Sequence, residues 1–224
     1  MAAAATLPAT WREALPVFLA HGSPRVLLGA LAAALAGRIA LGEPSPADLV
    51  PPAVLLAVWP LQEWLIHVGI LHFRPRRLGR FALDFRVPRS HRAHHADPSD
   101  LALVFIPIHS FAYSLPLLVG LCVALTPTPR LALTALAAYL ALALHYEWVH
   151  FLVHTRVWPR TRAYQRLWRN HRLHHFKNER YWFGVTRLGG DRLLGTGPDP
   201  RGVATSATAR RLHGDAFADA GSGA

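Results

Sequence analysis

Apolar residues along this 224-residue chain are collected in long blocks rather than spaced at regular intervals. A helix needs about 20 predominantly apolar residues to cross the hydrocarbon core of a bilayer. Four blocks approach or exceed that length, and Pro107 and Pro116 are expected to bend the third. The blocks cover residues 26–41, 53–73, 101–125 and 131–154. The pattern predicts an all-α integral membrane protein built on a four-helix bundle.

The segments between the blocks differ in charge, and this difference predicts a topology. Seven arginines lie between Arg74 and Arg92, and nine arginines with the single lysine lie between Arg156 and Arg192. The connections 42–52 and 126–130 together carry one arginine. Since Lys and Arg mark cytoplasmic loops, we expect both termini and both arginine-rich segments in the cytoplasm.

The ends of the chain differ in composition from its middle. Residues 1–24 show no signal-peptide pattern and are expected to form an N-terminal cytoplasmic segment. Residues 25–200 then form the membrane domain, and the Ala-, Gly-, Ser- and Thr-rich residues 201–224 a disordered tail. The ratio of 23 arginines to one lysine favours a GC-rich bacterial genome, hence a bacterial inner (plasma) membrane.

The net charge of +11 raises the question of nucleic-acid binding. Because the arginines flank apolar blocks, we assign them to anionic headgroups and expect no nucleic-acid partner. The one cysteine, Cys122, lies inside an apolar block. This excludes a disulfide framework and a thiolate zinc site.

Histidine carries the candidate chemistry. Ten of the fourteen histidines fall into four clusters at the cytoplasmic ends of blocks or in the arginine-rich segments. They are His67 and His72; His91, His94 and His95; His150 and His154; and His171, His174 and His175. A lone histidine is usually a surface or core residue, but the pattern HxxHH occurring twice is improbable by composition. Four clusters on one membrane face indicate a metal site.

The spacing of these histidines suits two neighbouring metals. Helix positions i, i+3 and i+4 share a face, so HxxHH presents three imidazoles to one side while its adjacent pair diverges. His150 and His154 are four residues apart and point together. His67 and His72 are about 140° apart on a regular helix, so they either reach two different ions or need a local distortion.

Ten imidazoles exceed the four ligands of a structural zinc site and supply five nitrogens to each of two ions. Such a centre suits O2 chemistry on an inert C–H bond, which iron supports and redox-inert zinc does not. We therefore predict two iron ions with O2 as co-substrate, and zinc at the same ligands in some purified samples.

Four ordered motifs place the chain beside a known group of proteins: HVGILH, HRAHH, HFLVH and HRLHH, the last continuing as HHFKNERYWFGVTRLGGDRLLGT. They resemble the membrane fatty acid hydroxylase superfamily, which includes sterol desaturases and carotenoid hydroxylases. Within it, residues from about 63 to 196 are most similar to fatty acid 2-hydroxylases. The resemblance implies a cytoplasmic helical cap over a dimetal centre that hydroxylates a lipid acyl chain.

The resemblance also implies a division of ligands and an electron source. One metal would take His67, His91, His94, His171 and His174, and the other His72, His95, His150, His154 and His175. Yeast and animal 2-hydroxylases resemble a fusion with an N-terminal cytochrome b5 domain. This chain has neither that domain nor its HPGG signature, so we expect a separate electron donor of ferredoxin or cytochrome type.

Three polar residues near the histidines are expected to support them. Glu63, Glu147 and His145 lie four, three and five residues before a cluster histidine. A hydrogen bond to the far ring nitrogen of a ligand would orient it. The alternatives are a snorkelling carboxylate paired with arginine and, for His145, a polar contact between helices. Asp191, with Gly184 and Gly195, is interpreted as turn chemistry holding the C-terminal segment against the cap.

Three other functions compete with acyl hydroxylation. The first is a sterol or carotenoid hydroxylase or desaturase of the same superfamily. The second is an acyl-CoA desaturase, which usually lacks a separate HxxxH such as that of His150 and His154. The third is a non-enzymatic membrane metal-binding protein or transporter, which would place its ligands near the bilayer midplane.

Overall fold

The structure is a computed structural model that describes residues 7–212, and these residues are mostly helical. The helices are α1 (Trp11–Ala20), α2 (Gly22–Ala40), α3 (Val50–Ile66), α4 (Arg86–Ala96), α5 (Phe111–Leu125), α6 (Pro129–Val153), α7 (Arg162–Phe176), α8 (Gly189–Leu193) and α9 (Ala207–Leu212). The predicted helical class is confirmed, with the addition of a short antiparallel hairpin of β1 (Arg76–Leu78) and β2 (Phe81–Leu83).

Four segments are long and apolar enough to cross a membrane by length and composition. They are Gly22–Ala40, Pro46–Leu71, Leu101–Leu125 and Pro129–Val153. The four predicted blocks are thus confirmed as candidate spans. The second begins before its predicted start because a 3₁₀ turn, Pro46–Leu49, leads directly into α3.

The third candidate span is only partly α-helical. Two short 3₁₀ turns, Leu101–Leu103 and Ile108–Ser110, precede α5 and are separated by an irregular stretch that ends at Pro107. Proline has no N–H to donate to a helix and restricts the residue before it. At Pro107, one of the two prolines expected to bend this span, the chain is irregular; the regular helix begins only at Phe111 and contains the other, Pro116.

Helix α6 is the centre of the bundle and packs against α2, α3 and α5. Its Leu140, Phe151 and Leu152 are at most 1% exposed. At the end of α6 that carries His150, α1 covers the helix with Ala14 and Phe18. The N-terminal segment is therefore a packed helix that closes one side of the bundle.

Arg38 lies inside the first candidate span, and its charge is compensated there. Its guanidinium forms an ion pair with Asp48 at 2.6 Å and donates to the Thr134 hydroxyl at 3.1 Å. A charge at membrane depth is costly unless it is paired in this way. The pair ties α2 to the beginning of the second span and to α6.

The C-terminal segment is ordered as far as the structure describes it. Helix α9 packs against α7 and α4, and its Ala209 is fully buried. Residues 201–212, which the sequence assigned to a disordered tail, thus include a helix that packs against the histidine-bearing helices. Residues 1–6 and the predicted tail 213–224 lie outside the described part.

Candidate metal centre

The ten predicted histidines converge into two adjacent groups of five, and in each group one ring nitrogen per residue lies within 4.8 Å of all the others. The first group is His67, His72, His91, His95 and His174, and the second is His94, His150, His154, His171 and His175. All are buried except His72, which is half-buried. The groups adjoin each other, and the rings of His95 and His175 stack across the boundary at 4.2 Å.

The grouping corrects the division of ligands that the family resemblance implied. The adjacent pairs His94/His95 and His174/His175 are split between groups, as expected. However, His94 and His171 belong with the second group, and His72 and His95 with the first. The reason is helical geometry. Around the helix axis, side chains four residues apart differ in direction by about 40°, and side chains three residues apart by about 60°. Each HxxHH therefore keeps its i, i+4 pair together and gives the middle histidine to the other group.

A local helix distortion brings His67 and His72 into the same group. The segment His67–Leu71 is a π-helix, and the His72 N–H donates to the His67 carbonyl at 2.9 Å. The wider turn of a π-helix aligns residues five apart that a regular helix would separate. Of the two possibilities that the sequence left open, the distortion is the one observed.

The nitrogen positions fit metal ligation. In the first group, Nε2 atoms approach one another at 3.0 Å (His72 and His174), 3.1 Å (His72 and His91) and 3.2 Å (His91 and His95). In the second group, His171 Nε2 lies 3.0 Å from His175 and 3.2 Å from His154. Nitrogens at right angles around a metal about 2.1 Å away are about 3.0 Å apart, so the separations suit a shared ion.

The opposite ring nitrogens of several histidines donate to backbone carbonyls. His67 Nδ1 donates to Phe183 at 2.6 Å, His174 Nδ1 to Tyr181 at 2.7 Å, and His154 Nδ1 to Pro98 at 2.9 Å. A proton held at Nδ1 leaves a lone pair on Nε2, which is the atom that faces the centre of the group. In the first group, the lone pairs of His67 and His174 are fixed in this way, and lone pairs turned toward one point repel unless a cation lies between them.

Burial supplies the protonation state that metal ligation requires. Among the described residues, Nε2 of His67, His94 and His150 is buried without a hydrogen-bond partner. Desolvation lowers the pKa of each histidine on α4 and α7 well below its ordinary value. These imidazoles are therefore neutral at pH 7, and the donor set fits a pair of metal ions.

Two buried carboxylates hold the segment that orients the first group. Asp191 accepts the N–H of Phe183 at 2.9 Å and of Gly184 at 2.8 Å. Glu63 accepts the next two, from Val185 and from Thr186, the latter at 2.9 Å. Four consecutive N–H groups are thus fixed, and we call Tyr181–Thr186 the clamped segment.

Sequence reasoning recognised a turn at Asp191 but missed this role. A Cβ at Gly184 would collide with the Arg187 carbonyl, so a glycine is required beside the carboxylate. The sequence did contain a signal for this role. Gly184 is followed seven residues later by Asp191, and both come soon after the last histidine cluster. Asn170, which donates to the Gly184 carbonyl at 2.8 Å and to Asp191 at 3.2 Å, carried no signal.

Within residues 7–212, no hydrogen bond joins the three predicted supporting residues to a histidine of either group. Glu63 acts one step away, through the clamped segment. Glu147 accepts instead from the Ser23 hydroxyl at 2.5 Å and the Ile106 N–H at 2.8 Å, which ties α2 and the irregular stretch before α5 to α6. His145 is exposed on α6. Glu63 and Glu147 share a helix face with His67 and His150, but the hydrogen bonds found for both carboxylates run mainly to donors on other segments.

A mostly apolar pocket of about 300 Å³ is lined by residues of the candidate spans and by two of the histidines. Leu115, Leu140 and Ala143 are among its apolar lining residues, and His91 and His150 are the two histidines. The pocket therefore touches one histidine of each group. No sequence pattern identified its lining, because these residues are ordinary apolar positions of the bundle.

Fold and site together define a class: a helical protein of the membrane-spanning type with two adjoining groups of five histidines beside an apolar pocket. A family model for fatty acid hydroxylases matches residues 52–196, and the chain belongs to the fatty acid hydroxylase family.

Two known proteins show the likeness in detail. Dihydroceramide fatty acyl 2-hydroxylase FAH2 of Arabidopsis thaliana is 27% identical over 147 residues, which are 65% of this chain and 60% of that protein. This chain therefore spans about 60% of that relative's length. The solved structure of full-length Scs7p, in which only the hydroxylase domain is visible, matches with a TM-score of 0.62 at 23% identity. It covers 90% of this chain and 71% of that one, and the likeness is one of fold.

Proposed function

We propose that this protein is an O2-dependent lipid hydroxylase with two iron ions, one in each histidine group, acting on the acyl chain of a membrane lipid. The observation that carries the proposal is the mostly apolar pocket, whose lining includes His91 and His150, one from each group. The 2-hydroxylase name of the Arabidopsis relative supports oxidation near the head group of the lipid.

The overall reaction fixes what must be supplied. A C–H bond, O2, two electrons and two protons give an alcohol and water. Iron, when bound, supplies the redox chemistry that O2 requires, and zinc at the same nitrogens would not. The electrons come from a separate one-electron carrier of ferredoxin or cytochrome type.

The protein's own residues have three tasks in this scheme. The histidines hold the metals, and the clamped segment fixes two of their rings. The apolar lining, including Leu115, Leu140 and Ala143, excludes water and aligns an acyl chain. The depth of the pocket then selects the reacting carbon by its distance from a head group held outside.

The proposed orientation places both termini and the histidine groups on the cytoplasmic side of a bacterial inner membrane. It rests on the arginine-rich segments that follow the second and fourth candidate spans. A reductant from the cytoplasm would reach the histidine groups from that side.

Lipid mass spectrometry of a bacterial host expressing the protein tests the proposal. The matched control carries His94→Ala and His174→Ala, one change in each group. Acyl chains that gain one oxygen only with the unmodified protein support hydroxylation, and fragmentation locates the carbon. A loss of two hydrogens would identify a desaturase instead. Added sterol or carotenoid that is oxidised while acyl chains are not would move the assignment to another branch of the superfamily.

A further inference from the structure

The hairpin of β1 and β2 carries an exposed apolar face. Its register pairs Leu78 with Phe81 and Arg76 with Leu83, and paired residues share a face of the ladder. Leu78 is 69% exposed and Phe81 60%. A two-stranded hairpin is at best marginally stable in water by itself. Its apolar tip therefore indicates a surface that covers it.

The base of the hairpin is firmly attached, so the tip projects in a defined direction. Arg92 donates to the Phe73 carbonyl at 3.2 Å and pairs with Asp84 at 2.5 Å. Arg89 pairs with the same carboxylate at 3.1 Å. The rings of Phe73 and Phe85 meet at 5.3 Å between the two arms.

Both ends of the hairpin are fixed at the edge of the membrane-type bundle. The second candidate span ends at Leu71, and β1 begins at Arg76. An extended chain covers at most about 3.6 Å per residue, so β1 begins within about 18 Å of the end of the span. On the other side, Val87 and Ser90 line the same pocket as Leu115. The hairpin thus lies within reach of the headgroup layer.

The charge of this region selects an anionic partner. Five arginines on or beside the hairpin are exposed: Arg74, Arg76, Arg77, Arg80 and Arg86. In the part of the chain that the structure describes, none of the five forms an ion pair. Arginines around an apolar tip match a membrane interface, where guanidinium groups reach phosphates while the apolar side chains enter the acyl region.

We propose that the hairpin and its flanks, residues 74–86, form a membrane-surface anchor. Leu78 and Phe81 insert at the level of the acyl chains, and the arginines bind anionic phospholipid headgroups of the same leaflet. An acidic protein is the other partner that the charge would permit, but it would leave the apolar tip unexplained. The anchor would hold the pocket edge at Val87 against the leaflet. It does not depend on the proposed oxidation.

Quenching of a probe on the full chain in lipid nanodiscs tests the anchor. In a Cys122→Ala background, Leu78→Cys carries an NBD probe on the apolar face. Ala82→Cys, which pairs with Arg77 on the opposite face, is the matched control. Doxyl-labelled lipid reports contact with acyl chains, and iodide reports exposure to water. Discs that contain phosphatidylglycerol are compared with discs of phosphatidylcholine alone. A double variant, Arg77→Gln and Arg80→Gln, tests how much the positive charge contributes.

In anionic discs we expect the probe at position 78 to be about three-fold less accessible to iodide than the probe at 82, and quenched by doxyl lipid. The shielding should fall in phosphatidylcholine discs and in the double arginine variant. Equal iodide access at both positions would overturn the anchor. Shielding at position 78 without doxyl quenching would also overturn it, in favour of a protein partner or a second copy. Shielding that is the same in both lipid mixtures would refute the anionic headgroup as the occupant.

Discussion

The Nδ1 atom of His67 donates a hydrogen bond to the Phe183 carbonyl oxygen 2.6 Å away, although the two residues are 116 positions apart. Two residues earlier, the Tyr181 carbonyl accepts from His174 of the same group. One short segment therefore orients two histidines from different helices. Since Asp191 and Glu63 fix that segment, carboxylates that touch no histidine set the direction of the ligand rings.

Asp191→Asn should weaken metal binding. The carboxylate accepts hydrogen bonds from the N–H groups of Phe183 and Gly184. In the variant, the amide nitrogen would face one of these two donors and could not accept its hydrogen bond. Loss of groups that orient ligands typically lowers metal affinity about 10- to 100-fold. Metal retained per chain against a graded chelator measures the change. Asp199→Asn, at an exposed aspartate paired with Arg201, is the control and should behave as the unmodified protein. Equal retention by both variants would show that the clamped segment does not control the ligands.

Paired histidine substitutions should reveal which residues share an ion. His91→Ala with His95→Ala removes two ligands from the first group only, so one of two ions should be lost. His94→Ala with His95→Ala removes one ligand from each group, so both sites should weaken. Elemental analysis of the purified variants counts metals per chain. If the first pair lost both ions and the second only one, the grouping would be refuted.

Glu147→Ala should lower stability and leave the metals in place. Its carboxylate holds Ser23 and the Ile106 N–H rather than a histidine. Leaving that partly buried N–H without its acceptor costs up to about 1–3 kcal/mol. Thermal unfolding in detergent reports the stability, and metal per folded chain reports the site. Ser23→Ala, which removes only one donor, should have a smaller effect. Metal loss at unchanged stability would restore the original hypothesis that Glu147 supports a ligand.

Filling the pocket should change the lipid product. Ala143→Phe projects a ring into the pocket between the candidate spans. Under the proposed function, hydroxylated lipid should decrease or shift to shorter acyl chains, while metal content stays constant. Ala141→Phe, at an exposed position of the same helix, is the control. An unchanged product profile in Ala143→Phe would place the acyl chain elsewhere.

The sequence alone determined the four candidate spans and the ten histidines, because both follow from local information. The length of each apolar block is read directly from the sequence, and the spacing of His91, His94 and His95 places them on one helix face. An irregularity at Pro107 was predictable for the same reason, since proline acts on its own turn, although Pro116, expected to bend the same span, lies inside α5.

Tertiary structure decided how those histidines divide and what supports them. The division depends on how α4 and α7 face each other and on a π-helix at His67–Leu71 that relieves a 140° offset only in the folded chain. Glu63 meets Val185 across 122 positions, a contact that no local spacing encodes. The pocket likewise exists only between packed helices, because each of its walls is by itself an ordinary apolar surface.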